Sequence, residues 1–222
     1  MLRAAWAMGA GLLLTACDGG VVVDFAAPFP AKGKAVQVFP ARHRGVYTAV
    51  DSSKSLCVGP TAVWRQELEH QTRTRHQLDS LHLPLSADST YREGNGRLHY
   101  LRLMGNGKVR DSWLRCDTIF SLVGADAGQL RRLQGRYYLS TCYRDEGTWQ
   151  VQRLDISGRS LTWETLGQDT LRLKALDPAS VRRKADKGVV YFHLTPEPGR
   201  QTRRIGRYDG LWQLVRTYQR RR

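Results

Sequence analysis

Apolar and polar residues alternate with a period close to two along most of the chain beyond residue 36. Turn-forming residues interrupt this alternation at intervals of about eight to twelve residues, as in antiparallel sheets. In the clearest case, Leu98–Met104 and 109–114 flank Gly105-Asn106-Gly107. Asparagine and glycine readily adopt the positive φ angles of tight hairpin turns. This region therefore predicts a β-hairpin.

The second half of the chain repeats the pattern. Segments 149–156 and Ser160–Leu166 flank a Ser-Gly turn, and residues 171–175 and 190–194 alternate between apolar and polar side chains. Such alternation is typical of strands that bury one face. These segments predict further strands.

Helical features are confined to two short segments, near 126–133 and near 178–185. In the second of these, Asp177 can cap the helix and Pro178 suits its first turn. The sequence thus predicts an all-β fold, an antiparallel meander with one or two short helices.

The two halves of the chain resemble each other when the sequence is divided near residue 128. Three blocks match in order at offsets of 90 to 92 residues: Gly45-Val46-Tyr47 with Gly135-Arg136-Tyr137, 100–103 with 191–194, and 117–122 with 209–214. A nearly constant offset indicates a duplicated β-meander. We predict a first repeat over 36–128 and a second, basic repeat over 129–222, which form one barrel or two small sheets. The alternative is two meanders that match by chance.

The amino-terminal segment has the three-part layout of a secretory signal. Arg3 gives a basic start, residues 4–14 form an apolar run, and Leu14-Thr15-Ala16-Cys17 ends the segment. These four residues resemble the lipobox of bacterial lipoprotein precursors. The resemblance implies a signal peptide over 1–16, lipid attachment at Cys17, and a lipid-anchored, extracytoplasmic protein of the bacterial cell envelope. The alternative is an ordinary signal peptide with a chance cysteine.

Residues 17–35 are rich in glycine, alanine and proline and show no periodicity. This composition predicts a flexible tether between the anchor and the folded part. The alternative is that 21–25 adds an edge strand. No later segment reaches the roughly 18 apolar residues of a transmembrane helix.

Each predicted repeat opens with Gly-x-Tyr, at Gly45 and at Gly135. This motif loosely resembles the Gly-x-Trp start of lipocalin-like barrels, with tyrosine in place of the tryptophan. The resemblance implies a ligand cavity inside a barrel.

The chain carries 35 basic and 20 acidic side chains, a formal net charge of +15. Residues 17–128 hold 14 basic and 11 acidic side chains, whereas 129–222 hold 20 and 9, so the excess belongs to the second half. Arginine suits phosphate and carboxylate oxygens. The residues expected to bind an anionic partner are Arg182, Arg183, Lys184, Arg203, Arg204, Arg207, Arg220, Arg221 and Arg222.

In the cell envelope, the anionic partners of such a surface are lipid head groups, lipid A phosphates or acidic glycans. We do not expect nucleic acid as a partner in that compartment. The alternative is a solvated basic surface that binds nothing.

Lipid attachment at Cys17 leaves three cysteines, so a monomer can form one disulfide. An oxidising envelope favours pairing. If the last strand of the first repeat folds back along the first strand of the second, Cys116 and Cys142 lie symmetrically about the fold-back point. We therefore predict a disulfide between Cys116 and Cys142. The rival pairing is Cys57 with Cys116, and the alternative is three free thiols.

The sequence contains no Gly-x-Ser-x-Gly, His-Glu-x-x-His, Cys-x-x-Cys or phosphate-loop motif. His70, His76 and His82, with Asp79, form the best candidate for a metal or acid–base cluster. However, six residues of extended chain span about 20 Å, too far for one metal ion to bridge. The acidic pair Asp145-Glu146 precedes a glycine and is typical of a solvated turn. We predict no catalytic residue, metal or cofactor.

Two classes of function remain. The first is a membrane-anchored envelope lipoprotein, a noncatalytic β-rich binding or assembly module for an anionic or lipidic partner. The second is a cell-envelope hydrolase or lipid-modifying enzyme with its site in a barrel mouth. A pocket that holds two or more of His70, His76, His99 and His193 beside an acid would favour the enzyme, whereas a filled interior would favour the module.

Overall fold

A computed structural model describes residues 20–50, 53–80, 89–143, 147–176, 181–186, 188–208 and 210–221. Within these residues the chain is mostly antiparallel β-structure with three short α-helices. The predicted all-β fold class is confirmed. Among the described helices, none has the length and apolar character that crossing a membrane requires.

The strands in the described residues are β1 Val21–Phe25, β2 Lys34–Ala35, β3 Gly45–Ala49, β4 Ser55–Val58, β5 Ala62–Thr74, β6 Thr90–Arg92, β7 Leu98–Met104, β8 Lys108–Ser121, β9 Gln129–Leu133, β10 Arg136–Tyr143, β11 Thr148–Ser157, β12 Ser160–Leu166, β13 Val181–Asp186, β14 Val189–Leu194 and β15 Trp212–Arg220. The helices are α1 Arg75–Asp79, α2 Thr170–Lys174 and α3 Arg200–Arg207, and a 3-10 turn covers Ala41–His43.

All fifteen described strands belong to one hydrogen-bonded sheet. Its main path runs β13-β14-β1-β11-β12-β15-β3-β4-β5-β8-β7-β6, and β10, β9 and β2 branch from β11. Because β15 pairs with β3, the two halves are joined in one sheet rather than standing as two small sheets.

Both halves follow a similar course through the sheet. In the first, β3, β4 and β5 are neighbours, and after α1 and the β6–β7 hairpin the chain returns as β8 beside β5. In the second, β10, β11 and β12 are neighbours, and after α2 and the β13–β14 hairpin the chain returns as β15 beside β12. The duplication of one ancestral unit stays a prediction.

The predicted hairpins are confirmed. Strand β7 ends at Met104 and β8 begins at Lys108, and between them Asn106 and Gly107 have φ angles of 63° and 66°. A glycine or asparagine adopts such angles with little strain, which is why this turn can be read from the sequence.

The two predicted helices are wrong. Residues 129–133 form β9 and residues 181–186 form β13, while 177–180 lie outside the described residues. Conversely, 171–174 lies in α2 rather than in a strand, because the Asp169 side chain accepts hydrogen bonds from the backbone N–H groups of Leu171 and Arg172. Such a cap favours a helix start, and alternation over five residues cannot distinguish a strand from one helical turn.

The flexible-tether prediction is wrong for residues 21–25, which form β1. This strand runs parallel to β14, and its last residue, Phe25, also pairs with Trp149 of β11. Val23, Phe25 and Phe29 are buried. The segment joins the sheet because its apolar side chains complete a core, and it does so as an internal strand rather than as an edge.

Buried apolar side chains form two clusters. The first unites side chains from β3, β4, β10, β11 and β12, among them Tyr47, Leu56, Tyr137, Leu154 and Leu161. The second, which we call the β1 core, contains Val23, Phe25, Phe29, Tyr138, Val151, Leu166, Leu173, Leu176, Phe192, Leu194, Ile205, Leu211 and Trp212. The β1 core packs beneath the strands that carry the candidate site.

Candidate functional site

The candidate site lies on one face of three neighbouring strands, β13, β14 and β1. Their register places Arg182, His193 and Asp24 in one row across the strands. Lys184 and Tyr191 are paired two residues further along. Residues two apart in a strand share a face, so these five side chains belong to one surface, which we call the β13 face.

The opposite face of the same strands is apolar and anchors them. Phe192 and Leu194 of β14 alternate with the site residues and are buried in the β1 core beside Val23 and Phe25. Close-packed interiors resist movement. The β13 face therefore has a rigid support on the β14–β1 side.

A buried carboxylate lies behind His193. The Oδ1 atom of Asp24 is 2.6 Å from Nδ1 of His193, and Asp24 is 1% exposed. Its other oxygen, Oδ2, has no hydrogen-bond partner among the described residues. Because a buried carboxylate is costly without a donor or a cation, we assign a proton to Nδ1 of His193, donated to Asp24. The Nε2 atom is then the ring nitrogen available to a ligand.

A pocket of about 320 Å³ opens at this surface, lined by Thr148, Lys184, Asp186, Tyr191 and His193. The rings of Tyr191 and His193 stack with centroids 6.1 Å apart. The Thr148 hydroxyl is buried and has no hydrogen-bond partner in the described part of the chain. The volume of the pocket lies near the lower end of the range for ligand sites, about 300 to 1,000 Å³. The lining can accommodate one small polar ligand.

Three of the predicted anion-binding residues lie on β13 and are exposed. Arg182 and Lys184 share the β13 face, whereas Arg183 pairs with Phe192 and belongs to the opposite face. Within the described residues, none of these three side chains forms a salt bridge. Their charges are therefore available to a partner.

Three others lie on α3. Arg203, Arg204 and Arg207 are exposed, while Thr202 and Ile205 turn the other side of the helix into the interior. The Nε atom of Arg207 donates a 2.9 Å hydrogen bond to the Gln134 side chain. Arg203 and Arg204 therefore form a second basic surface on α3, separate from the one on β13.

The remaining predicted residues lie at the end of β15. Arg220 is half-buried and donates to the backbone carbonyl oxygens of Arg42 and Arg44, at 3.0 and 2.6 Å. Arg221 donates to the Thr48 hydroxyl at 2.8 Å. Both guanidinium groups hold neighbouring chain segments, which makes them poorer ligands than the arginines of α3. Arg222 and Cys17, the predicted site of lipid attachment, lie outside the described residues.

The predicted histidine series does not form. Strand β5 ends at Thr74, so His70 lies on the strand while His76 and Asp79 lie on α1. His82 and the acidic pair 145–146 lie outside the described residues. No group of three or more histidine, cysteine, aspartate or glutamate side chains in the described part of the chain could hold a metal ion.

His99 belongs to a different, buried polar cluster on β6, β7 and β8. Asp111, which is fully buried, accepts a hydrogen bond from the Tyr91 hydroxyl at 2.8 Å and another from Nε of Arg73 at 3.2 Å. Its other oxygen is 2.8 Å from Nδ1 of His99, whose ring stacks between Tyr91 and Trp113. Burial, and then the hydrogen bond to Asp111, raise the pKa of Tyr91. Because His99 belongs to this cluster, the pocket on the β13 face contains His193 but not His99.

The predicted disulfide between Cys116 and Cys142 is wrong, and Cys57, Cys116 and Cys142 are all free. Cys116 pairs with Gln66 across β8 and β5, and Cys142 pairs with Trp149 across β10 and β11. Strand β9 occupies the other side of β10, so β8 does not fold back along β10 as predicted. The thiol of Cys57 instead donates to the Gln66 side chain, 3.1 Å away.

Sequence reasoning missed Asp24, Thr148, Asp186 and Tyr191 as site residues. Asp24 does carry a signal, because a lone carboxylate in the apolar run Val21–Phe25 needs a buried partner if that run is a strand. Nothing local identifies that partner, which lies 169 residues further along the chain.

Comparisons with protein-family models, with curated proteins and with solved structures found no match to this chain.

Proposed function

We propose that this chain is the precursor of a membrane-anchored lipoprotein of the bacterial cell envelope. We further propose that its folded part is a noncatalytic β-rich module that binds an anionic or lipidic partner. The anchor rests on the Leu14-Thr15-Ala16-Cys17 motif.

The binding role rests chiefly on one observation, the exposed basic side chains of β13 and α3. Arg182, Arg183 and Lys184 on β13 and Arg203 and Arg204 on α3 are exposed and form no salt bridge within the described residues. Each basic group near an anionic membrane surface contributes on the order of 1 kcal/mol. A lipid anchor holds these side chains close to such a surface, within reach of a Debye length of about 8 Å.

The packing of the interior supports a module rather than an enzyme. The two apolar clusters fill the inside of the described residues with aromatic and aliphatic side chains. The open pocket on the β13 face holds one of the four candidate histidines, His193, rather than two.

Vesicle binding tests the proposed function. The unlipidated mature chain, residues 17–222 with Cys17→Ser, should bind vesicles of phosphatidylglycerol at low salt and release them at high salt, because screening weakens the attraction. The double variant Arg203→Gln with Arg204→Gln should weaken binding by about tenfold, the equivalent of about 1.4 kcal/mol.

The matched control removes two arginines from the first half, Arg92 and Arg102, which are also exposed. Changing both to glutamine should leave vesicle binding within about twofold, well under the 1.4 kcal/mol of a tenfold change. Equal losses in the two double variants, or equal binding to neutral phosphatidylcholine vesicles, would contradict a specific basic surface.

The anchor has its own test. Expressed in a bacterium fed a labelled fatty acid, the natural chain should take up label and the Cys17→Ser chain should not. A natural chain without label, cleaved elsewhere, would refute the lipoprotein assignment.

A hydrolase is the second candidate, favoured by the Asp24–His193 pair beside the Thr148 hydroxyl in one pocket. Hydrolysis in this pocket would need His193 as general base and Thr148 as nucleophile. A fluorophosphonate probe would then label the natural chain, and Thr148→Ala would abolish the label. The module that we favour predicts no labelling in either chain.

A further inference from the structure

We propose that the β13 face is a binding site for a single phosphomonoester group, held by Arg182, Lys184 and His193. This inference rests on the proposed function and deepens it, because it names a chemical class of ligand for one part of the basic surface. It concerns the pocket alone and does not involve the arginines of α3.

His193 is the central group of the site. Asp24 lies 2.6 Å from its Nδ1 atom and is buried, so the ring orientation is set from behind. Because Asp24 accepts the Nδ1 proton, Nε2 is the ring nitrogen that can accept a hydrogen bond from a ligand.

The two β13 cations lie on the face that carries the pocket. Arg182 is paired directly with His193, and Lys184 is paired with Tyr191, two residues away on the same face. Side chains opposite each other on neighbouring strands have Cβ atoms about 5 Å apart. Lys184 and His193 thus line the pocket itself, and the Arg182 guanidinium, on the same face directly opposite His193, supplies a second cation at its edge.

These three groups suit a phosphomonoester better than a carboxylate. A terminal phosphate presents three oxygens, two that accept from Arg182 and Lys184 and one that can carry the proton which Nε2 of His193 accepts, whereas a carboxylate presents two. The pocket volume of about 320 Å³ suits a head group rather than an acyl chain.

The remaining lining groups select what carries the phosphate. The carboxylate of Asp186 opposes the negative charge of the ligand, so the site favours one anionic group over two, and it accepts hydrogen bonds from hydroxyls. The Thr148 side chain completes the polar part of the lining. We therefore expect a phosphorylated polyol with one phosphate, whether it is a free metabolite or the exposed part of a lipid.

Calorimetric titration with glycerol 3-phosphate tests the site in the unlipidated mature chain. Saturable binding with one site is expected. Lys184→Gln and His193→Gln should each weaken it by about tenfold or more, since each removes a hydrogen bond to the charged phosphate. Asp24→Asn keeps His193 but removes its charged partner, and it should also weaken binding, with circular dichroism used to check that each variant is folded.

Arg102→Gln is the matched control, because it removes one exposed charge from β7, which lies outside the proposed binding surfaces. It should leave the affinity within about twofold, well below the tenfold that corresponds to 1.4 kcal/mol. A loss equal to that of Lys184→Gln, or the absence of saturable binding in the natural sequence, would overturn the site. Glycerol, which lacks the phosphate, should not bind, and its binding would equally contradict the proposal.

Two further measurements distinguish a lipid head group from a free ligand, and the phosphate site from the proposed vesicle-binding surface. Vesicles with phosphatidic acid, a lipid phosphomonoester, should compete with glycerol 3-phosphate if the head group of a lipid reaches the pocket, and a free ligand is the source if they do not compete. His193→Gln should leave adhesion to phosphatidylglycerol unchanged. Adhesion without glycerol 3-phosphate binding would overturn the pocket alone, whereas glycerol 3-phosphate binding without adhesion would overturn the proposed basic surface alone.

Discussion

Replacing Glu164 by glutamine should lower the free energy of unfolding by about 3 kcal/mol. Arg153 is 2% exposed and Glu164 is 15% exposed, and the two form a bidentate ion pair across β11 and β12 with distances of 2.5 and 2.7 Å. Arg153 also donates to the carbonyl oxygen of Gly206 at 2.8 Å and lies over the Trp212 ring.

The size of the expected loss follows from the buried charge of Arg153, which the variant leaves without its partner. Breaking a buried ion pair by removing one partner costs about 3 to 5 kcal/mol, because the other charge stays buried without compensation. Glutamine keeps one acceptor oxygen in place, and Gly206 still receives a hydrogen bond from Arg153. We therefore expect a value near the lower limit. For a domain of this size, that loss corresponds to a decrease in Tm of about 6 to 12 °C.

The assay is urea unfolding of residues 17–222 with Cys17→Ser, with calorimetry for Tm. Asp155→Asn is the matched control, because Asp155 pairs with Arg136 across the neighbouring strands β10 and β11 with both side chains about a third exposed. An exposed pair contributes less than about 1 kcal/mol, so this variant should change little. If Glu164→Gln lowered the free energy of unfolding no more than Asp155→Asn does, the buried charge of Arg153 would not need Glu164 as its partner, and the expected loss of about 3 kcal/mol would be refuted.

Three further measurements test other parts of the structure. Burial, and then the charges of nearby arginines, lower the pKa of His43. The stability that its neutral ring contributes should therefore be complete above about pH 6.5 and decrease below it. In unfolding measured as a function of pH, His43→Gln should flatten that decrease. Iodoacetamide should modify exposed Cys116 first and Cys57 last, since burial raises the Cys57 pKa, and mass mapping of timed samples would detect the opposite order. Asp111→Asn should cost about 3 kcal/mol in urea unfolding because it removes a buried acceptor of several hydrogen bonds, and a loss below about 1 kcal/mol would count against that cluster.

The fold class can be predicted from the sequence because hairpins are local. A turn such as Asn106-Gly107 needs positive φ angles that its own residues supply, and the flanking alternation sets which face is buried. The boundaries Leu98–Met104 and Ser160–Leu166 agree with β7 and β12 for this reason. Short segments without such turns were misassigned, because a five-residue pattern fits either a helix or a strand.

The candidate site required the tertiary structure. Asp24 and His193 pair only because β1 inserts beside β14, and the two strands are separated by most of the chain. The pairing of β13 with β14 decides which residues of β13 share a face with the pocket. Composition alone assigns equal roles to Arg182, Arg183 and Lys184, whereas strand pairing separates Arg183 from the other two.

Local preferences thus specify the strands and turns. The charge of the second half and the resemblance of residues 14–17 to a lipobox can likewise be read directly from the sequence. Strand neighbours are decided by the burial of apolar side chains that are distant in the sequence, such as Phe25 and Phe192. Those contacts lower the free energy only when the whole core forms, so no window of sequence contains them. The pocket with its buried carboxylate is a product of that non-local packing.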